Sequence, residues 1–336
     1  MDGRGRRTMS TEAMHKMVDG GRSSSASDFQ QDPACKTKPR IRRAGSASSI
    51  KATMTAFNSY CRCSAGPPHL HETVDRLVDF KEVPEELQFN KHVISGYRQP
   101  LTYAGCARSL FCCHNETMNI VTHFLGLLVF LYEITRHTFP KAPTLFYLTV
   151  SSLAACMFNS VMYHTFMNYT PHYYSWLTFD VCGIYLVFLF AQPSVIWFGF
   201  TCFPHLRVPF LVFYYSIGLF SAVKAMQTNS VEERAKYMGC TGIARGTVMI
   251  VRFVIGAGRV STLAVYLMAD VAGLLGAIVN SSMVPEKWYP GKFDYVFNSH
   301  QIMHIFAFIA LYGVYIAICE DYLDFHDPVC LDSVTS

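Results

Sequence analysis

Charged side chains are scarce in this sequence. Asp, Glu, Lys and Arg make up only 15% of its 336 residues, and hydrophobic residues make up 51%. A soluble globular protein has about 25% charged residues. The shortage is greatest after residue 110, so a soluble enzyme, a disordered scaffold or a nucleic-acid-binding protein is a poor fit to the last two thirds. We expect no nucleic-acid partner.

Three further absences narrow the class of protein. No apolar run follows Met1, so a cleavable signal peptide is not expected. No Cys-x-x-Cys pair suggests a thiolate zinc site. The Asp-Arg-Tyr and Asn-Pro-x-x-Tyr elements of G-protein-coupled receptors are also missing.

The basic residues are concentrated at one end of the chain. Residues 1–110 contain 17 of the 28 Lys and Arg residues. Residues 1–66 are polar and rich in Ser and Arg, and they have too little apolar surface to offset the entropy of an ordered chain. We predict a disordered cytosolic tail there. Residues 67–110 predict a cytosolic amphipathic segment, with a short helix broken at Pro84 that lies on the domain or on the bilayer.

Apolar stretches long enough to cross a membrane, which takes about 20 residues, begin after residue 116. We predict an all-α seven-transmembrane helical bundle over residues 111–319 and a short acidic tail over 320–336. The fifth span is the weakest, because Arg245 and Arg252 lie within it. The spans are predicted near 117–136, 143–165, 175–197, 206–224, 242–258, 262–284 and 298–318.

The distribution of Lys and Arg predicts the orientation of these spans. Cytosolic segments carry the excess of basic residues, so the N-terminus is predicted in the cytosol and the C-terminus in the lumen or outside the cell. Disulfides form on the oxidising side of the membrane. Cys319 and Cys330 would both face that side, where they could form a pair.

Four ionisable residues share one depth in the predicted bundle. His164 ends the second span, Asp180 lies about one turn into the third, and His300 and His304 open the seventh. In the predicted topology all four lie near the cytosolic face. Inserting each such residue into a membrane costs roughly 2.5–3.5 kcal/mol on insertion scales. Their common depth therefore indicates a function.

The spacing of the histidines suits a metal ion. His300 and His304 are four residues apart and share one helix face; with His164 they make the three-histidine set typical of catalytic zinc, which leaves a fourth position for water. Asp180 could hold or deprotonate that water. Ser160, one turn before His164, could hydrogen-bond a ligand, the water or a substrate carbonyl. The alternative is that each histidine is a hydrogen-bonded packing residue.

The other ionisable residues within the spans show no such convergence. His123 lies seven residues after Glu116 on one face of the first span, which favours an interhelical polar contact over metal ligation. Asp270 is expected to pair with Arg245 or Arg252 rather than to form part of a proton path.

One stretch of the sequence resembles a known family. Residues 114–123, His-Asn-Glu-Thr-Met-Asn-Ile-Val-Thr-His, resemble the Asn-Glu-x-x-Asn-Ile-x-x-His signature that opens the first span of the progestin and adipoQ receptor family. The resemblance extends over residues 87–319. Five further positions match the family's pattern: Ser160, His164, Asp180, His300 and His304.

This resemblance implies seven helices, a cytosolic N-terminus and a buried Zn²⁺ held by His164, His300 and His304, with Asp180 and Ser160 as catalytic residues. It implies a ceramidase-type amide hydrolase that acts on ceramide-like sphingolipids in the bilayer, in the Golgi membrane or alternatively the plasma membrane. The alternative function is a non-catalytic receptor or scaffold with structural zinc, which signals through cytosolic partners bound by the N-terminal tail.

Overall fold

The computed structural model describes residues 76–136, 144–327 and 330. The predicted tail at 1–66 and the end of the predicted acidic tail lie outside the described residues. The described residues form eight α-helices. Their bounds are α1 Tyr103–Ser109, α2 Thr117–Arg136, α3 Thr144–Phe166, α4 Tyr173–Gly199, α5 Pro204–Gln227, α6 Val231–Val254, α7 Val260–Ser282 and α8 Ser299–His326.

Six of these helices are long and apolar enough to cross a membrane: α2, α3, α4, α5, α7 and α8. The predicted helical membrane fold is confirmed by these helices. The helix α6 has 24 residues and coincides with the weakest predicted span. It carries Arg245 and Arg252, which keep its apolar content low. The count of seven spans and the orientation of the termini therefore stay predictions.

Apolar packing joins five of the long helices into one core. Buried side chains from α2, α3, α4, α7 and α8 form it, among them Phe130, Leu153, Val195, Tyr266 and Ile318. The pairs α3–α4 and α7–α8 pack closely, whereas α5 and α6 pack against each other beside α4. A Cβ at Gly183 would lie 3.0 Å from the Cα of Cys156. Small residues of this kind let membrane helices approach one another closely.

The ends of the helices follow local sequence signals. The side chain of Asn298 caps α8 by accepting a hydrogen bond from the backbone of Gln301 at 3.0 Å. The side chain of Ser230 caps α6 in the same way through Glu233. Pro204 occupies the first turn of α5, where its missing N–H costs nothing.

The segment before the bundle is not the amphipathic helix expected from the sequence. A strand β1, Leu77–Val78, pairs antiparallel with β2, Tyr97–Arg98. Two short 3₁₀ turns lie between them, one on each side of Pro84, which lacks the donor needed for a continuous helix. The segment lies on the domain, because its apolar side chains pack with three residues near the ends of α3 and α4: Tyr163, Met167 and Tyr173.

The C-terminal region continues the last helix, and one prediction about it, the pairing of Cys319 with Cys330, is wrong. The residues after 319 continue α8 as far as His326, so the start of the predicted tail is helical. Cys330 forms its disulfide with Cys202, whereas Cys319 is a free thiol. Because α8 runs through Cys319, this side chain packs against the core, whereas Cys330 is bonded to Cys202 between α4 and α5. Cys202 lies at the end of a predicted span on the same predicted face.

Candidate metal centre

The three predicted histidines meet at one end of the bundle. His164 lies in the last turns of α3, and His300 and His304 lie in the first two turns of α8. One ring nitrogen from each lies within 4.8 Å of the others. The rings of His300 and His304 are 4.7 Å apart between centroids. His164 and His304 are buried, each with 2% exposure. We call this end of the molecule the histidine end.

The outer nitrogen of each imidazole has a hydrogen-bond acceptor on a neighbouring segment. His164 donates from Nδ1 to the Glu116 carboxylate at 2.7 Å. His304 donates from Nδ1 to the backbone carbonyl of Asn119 at 3.2 Å. His300 Nδ1 lies 3.1 Å from Oδ1 of Asn280 on α7. Carboxylates and carbonyls only accept, so these bonds assign the ring protons to Nδ1 and leave Nε2 as the free lone pair.

Two of the ring nitrogens are spaced as in a tetrahedral metal site. Nε2 of His164 and Nε2 of His300 lie 3.4 Å apart. Two lone pairs at this distance repel one another unless a cation lies between them. A tetrahedral site with metal–nitrogen distances of about 2.0–2.1 Å has nitrogens about 3.3–3.4 Å apart. The residues present therefore suit a divalent metal held by imidazole nitrogens.

The two predicted catalytic residues lie beside this cluster. Ser160 is buried one turn before His164 on α3. Asp180 extends from α4, is partly exposed, and lies close to the Ser160 side chain. It is close enough to His164 for their charges to interact. The structure thus brings Asp180 and Ser160 to the histidine cluster, with the carboxylate outside the three-histidine set.

Glu116 was missed as part of the site by sequence reasoning. It immediately precedes α2, is 3% exposed, and accepts a second hydrogen bond from the Asn119 side chain at 2.6 Å. Burial alone would raise its pKa, but the hydrogen bond and charge of His164, followed by the Asn119 bond, lower the pKa to about 2. The sequence feature that could have identified it is its depth, since Glu116 opens the first span at the same face as the histidines.

His123 takes a different role from the polar contact expected of it. Its ring stacks on that of His304, with centroids 3.6 Å apart and planes inclined by 12°. His123 is not among the three histidines whose ring nitrogens group together. The interhelical contact is present, and it is aromatic.

The opposite end of the bundle holds a second buried polar cluster. Arg252 on α6 donates to both carboxylate oxygens of Asp321 on α8, at 2.9 and 2.7 Å. The hydroxyl of Tyr266 donates to the same carboxylate at 2.9 Å. We call this the arginine end. Nearer the middle, Arg245 donates to Asp270 at 2.8 Å. Of the two arginines expected to pair with Asp270, Arg245 is therefore the partner.

Known proteins match most of the chain. Residues 111–315 match the family described as haemolysin-III related. Progestin and adipoQ receptor family member 4 from Mus musculus is 36% identical over 260 residues, which cover 75% of this chain and 95% of the mouse protein. The Homo sapiens member 4 is 37% identical over 257 residues, which cover 74% and 94%.

This chain belongs to the progestin and adipoQ receptor family. Within that family, it is also similar to the adiponectin receptor protein of Drosophila melanogaster, with 28% identity over 264 residues that cover 73% of this chain and 59% of the fly protein. Together with its apolar helices, membership in the family makes it a multi-pass integral membrane protein. The resemblance drawn from residues 114–123 is confirmed.

Proposed function

We propose that this protein is an integral membrane zinc-dependent amide hydrolase that acts on ceramide-like sphingolipids. Its main support is the convergence of one ring nitrogen each from His164, His300 and His304, with the Asp180 carboxylate close to His164 but outside that set. Catalytic zinc sites use three protein ligands and keep the fourth position open, whereas structural sites close all four.

The donor set supports zinc as the metal. His164, His300 and His304 would hold the ion through neutral imidazoles, which suit zinc among the common divalent metals. When bound, zinc supplies Lewis acidity that polarises a carbonyl group and lowers the pKa of water toward 7. Three neutral ligands leave the full charge of the ion available for this chemistry.

The residues around the histidines provide the proton transfers that amide hydrolysis needs. Asp180 takes a proton from water as the water oxygen attacks the amide carbon. It returns that proton to the nitrogen when the carbon–nitrogen bond breaks, which yields a carboxylic acid and an amine. Ser160, beside Asp180, assists by donating its single hydroxyl proton to the oxygen that gains charge in the transition state.

The proposed substrate class and compartment are inferred from the family that the chain resembles. Ser160, His164, Asp180, His300 and His304 all match the pattern shared with ceramide-hydrolysing relatives, and a site within membrane helices suits an amide with long acyl chains. Ceramide-like lipids are therefore the proposed substrates. The proposed compartment is the Golgi membrane.

The alternative is a receptor or scaffold in which zinc has a structural role and the N-terminal tail binds cytosolic partners. The names of the relatives favour it, because they describe receptors. The two functions differ in turnover rather than in metal content, so a hydrolysis assay separates them.

The test uses the full-length protein, purified and placed in lipid nanodiscs with ceramide. Asp180→Asn should lower turnover by about 10²–10⁴-fold, the usual value of a positioned acid or base, while zinc content stays unchanged. His300→Ala should abolish both turnover and zinc binding. Matched controls on the far end of α8, Asp324→Asn and His326→Ala, should behave as wild type. A folded, zinc-loaded wild type no faster than Asp180→Asn would leave the receptor as the function.

A further inference from the structure

The end of α3 shows how the backbone around His164 is held. A helix leaves its last carbonyl groups without partners inside the helix. The carbonyl of Tyr163 accepts from the N–H of Met167 at 2.8 Å, and that of Phe166 accepts from the N–H of Tyr169 at 2.9 Å. The two carbonyls between them, one of which belongs to His164, receive no backbone donor of this kind.

Arg98 donates to both of these carbonyls. Its guanidinium lies 2.6 Å from the carbonyl oxygen of His164 through Nη2 and 3.0 Å from that of Thr165 through Nη1. Nη1 also donates to the Ser109 hydroxyl at 2.8 Å. A cation at the C-terminus of a helix interacts favourably with the helix dipole. Arg98 therefore terminates α3 at the residue that supplies one of the three imidazoles.

The same guanidinium also acts on the imidazole of His164 indirectly, through the charge of Glu116. Arg98 is 2% exposed, and among the described residues no carboxylate is hydrogen-bonded to it. Burial lowers the pKa of Arg98, and the charge of Glu116 opposes that shift. Glu116 is the carboxylate that accepts from Nδ1 of His164. The positive charge of Arg98 thus offsets the negative charge of Glu116, the carboxylate that orients the His164 ring. Arg98 also holds the backbone of the same histidine.

The segment that carries Arg98 is itself anchored to the bundle. The side chain of Asn168 donates to the Arg98 carbonyl at 2.8 Å. The backbone N–H of Asn115 donates to the Gly96 carbonyl at 2.9 Å, directly before Glu116. Gly96 has a φ of +87°, a conformation that favours glycine. The β2 strand is therefore tied both to the chain just beyond α3 and to the start of α2.

We propose that Arg98 is a positioning residue of the metal centre. It holds the His164 backbone and offsets the charge of the Glu116 carboxylate that orients the ring, so that Nε2 of His164 faces Nε2 of His300. This role rests on the proposed function, because it assumes that the three histidines bind a metal. The geometry requires arginine: two nitrogens of one planar group reach two adjacent carbonyls, whereas lysine has a single nitrogen on a flexible stem.

Arg252 offers a matched control in the same molecule. It is 0% exposed, and it also donates to backbone carbonyls, those of Ala257 at 3.2 Å and Val195 at 3.4 Å. It lies at the arginine end, far from the histidines. Replacement of either arginine by lysine keeps the positive charge and removes the planar fork. Arg252 also pairs with Asp321, so Arg252→Lys controls for the loss of a buried guanidinium far from the metal centre.

The experiment measures metal binding by the full-length protein in nanodiscs. Zn²⁺ affinity is determined by competition with a chromophoric chelator, and the visible spectrum of the Co²⁺-loaded protein reports ligand geometry. Arg98→Lys should weaken Zn²⁺ binding by about 10–100-fold, as the loss of a group that orients a ligand does, and should change the Co²⁺ spectrum. Arg252→Lys should lower the melting temperature while affinity and spectrum match wild type.

Wild-type affinity and spectrum in a folded Arg98→Lys would overturn the proposal, as would equal weakening in both lysine variants. If Arg98→Lys does not fold, Ser109→Ala takes its place, because it removes only the hydroxyl that receives Nη1. It should weaken Zn²⁺ binding by a smaller factor, and an unchanged affinity overturns the proposal. A wild type that binds zinc without hydrolysing ceramide refutes the proposed function alone. A wild type that binds no metal refutes both.

Discussion

Buried polar groups at the two ends of the helical bundle are partnered in opposite ways. They lie roughly 30 Å apart along α8, at 1.5 Å per residue. At the arginine end, Arg252 and Asp321 neutralise each other and Tyr266 completes the carboxylate's hydrogen bonds. At the histidine end, the outer nitrogens are satisfied and the inner nitrogens face one another.

This difference separates a structural cluster from a functional one. Buried ionisable groups are expensive in a membrane, so each needs a partner or a purpose. The arginine end is complete without any added group. The facing nitrogens of His164 and His300 are spaced as two ligands of one tetrahedral ion, which makes the histidine end the place where a cation would bind.

The largest expected effect comes from breaking the arginine end. Asp321→Ala leaves the Arg252 guanidinium buried without its counter-charge, which should destabilise the fold by about 3–5 kcal/mol. Thermal unfolding in nanodiscs measures the loss. Zn²⁺ affinity of the folded fraction should stay at the wild-type value, because the two clusters share no contact. A double variant, Arg252→Met with Asp321→Leu, should recover part of the stability. Parallel loss of zinc affinity in Asp321→Ala would show that the two ends are not independent.

A smaller effect is expected from Glu116→Gln at the histidine end. The amide keeps an acceptor oxygen for Nδ1 of His164 but loses the negative charge that makes the imidazole a better ligand. Zn²⁺ affinity should fall by about 10–100-fold, measured by chelator competition. Glu320→Gln, at the far end of α8, is the matched control and should bind zinc as wild type does. Equal affinities in the two variants would contradict the role given to Glu116.

The smallest effect is expected from the disulfide. Cys202→Ser should lower stability by less than the roughly 2–4 kcal/mol typical of disulfides in soluble domains, because membrane helices stay inserted when their packing is lost. Cys330 should become reactive toward maleimide, whereas in wild type it is cross-linked. Cys240→Ser, which removes an exposed free thiol, is the control. A wild-type Cys330 that is already reactive would show that the pair is not formed.

Much of this architecture could be predicted from the sequence because apolar length and depth are local properties. The α2 helix begins and ends at the predicted residues, and the other long helices differ mainly at their ends. The histidine cluster was predictable because His164, Asp180, His300 and His304 each lie near one end of a span. To predict their common depth therefore required only the order of the helices along the chain.

The features that were missed depend on contacts between distant segments. Acidic residues after 319 suggested a solvated tail, yet Asp321 pairs with Arg252 and Asp324 with Arg259 inside or beside the bundle. No local pattern in the sequence indicates that α8 extends to meet these arginines. Likewise Cys330 could be assigned to the oxidising side, but its choice of Cys202 over Cys319 depends on where the chain goes after the helix.

Zinc stoichiometry decides whether the histidine end holds a metal ion. Wild-type protein, purified without added chelator, should contain about one zinc per chain by elemental analysis. X-ray absorption should show nitrogen ligands at about 2.0–2.1 Å. His164→Ala, His300→Ala and His304→Ala should each lose the metal, whereas Asp321→Ala should keep it. Folded wild type without stoichiometric zinc after incubation with excess Zn²⁺, or zinc retained in all three histidine variants, would contradict the account.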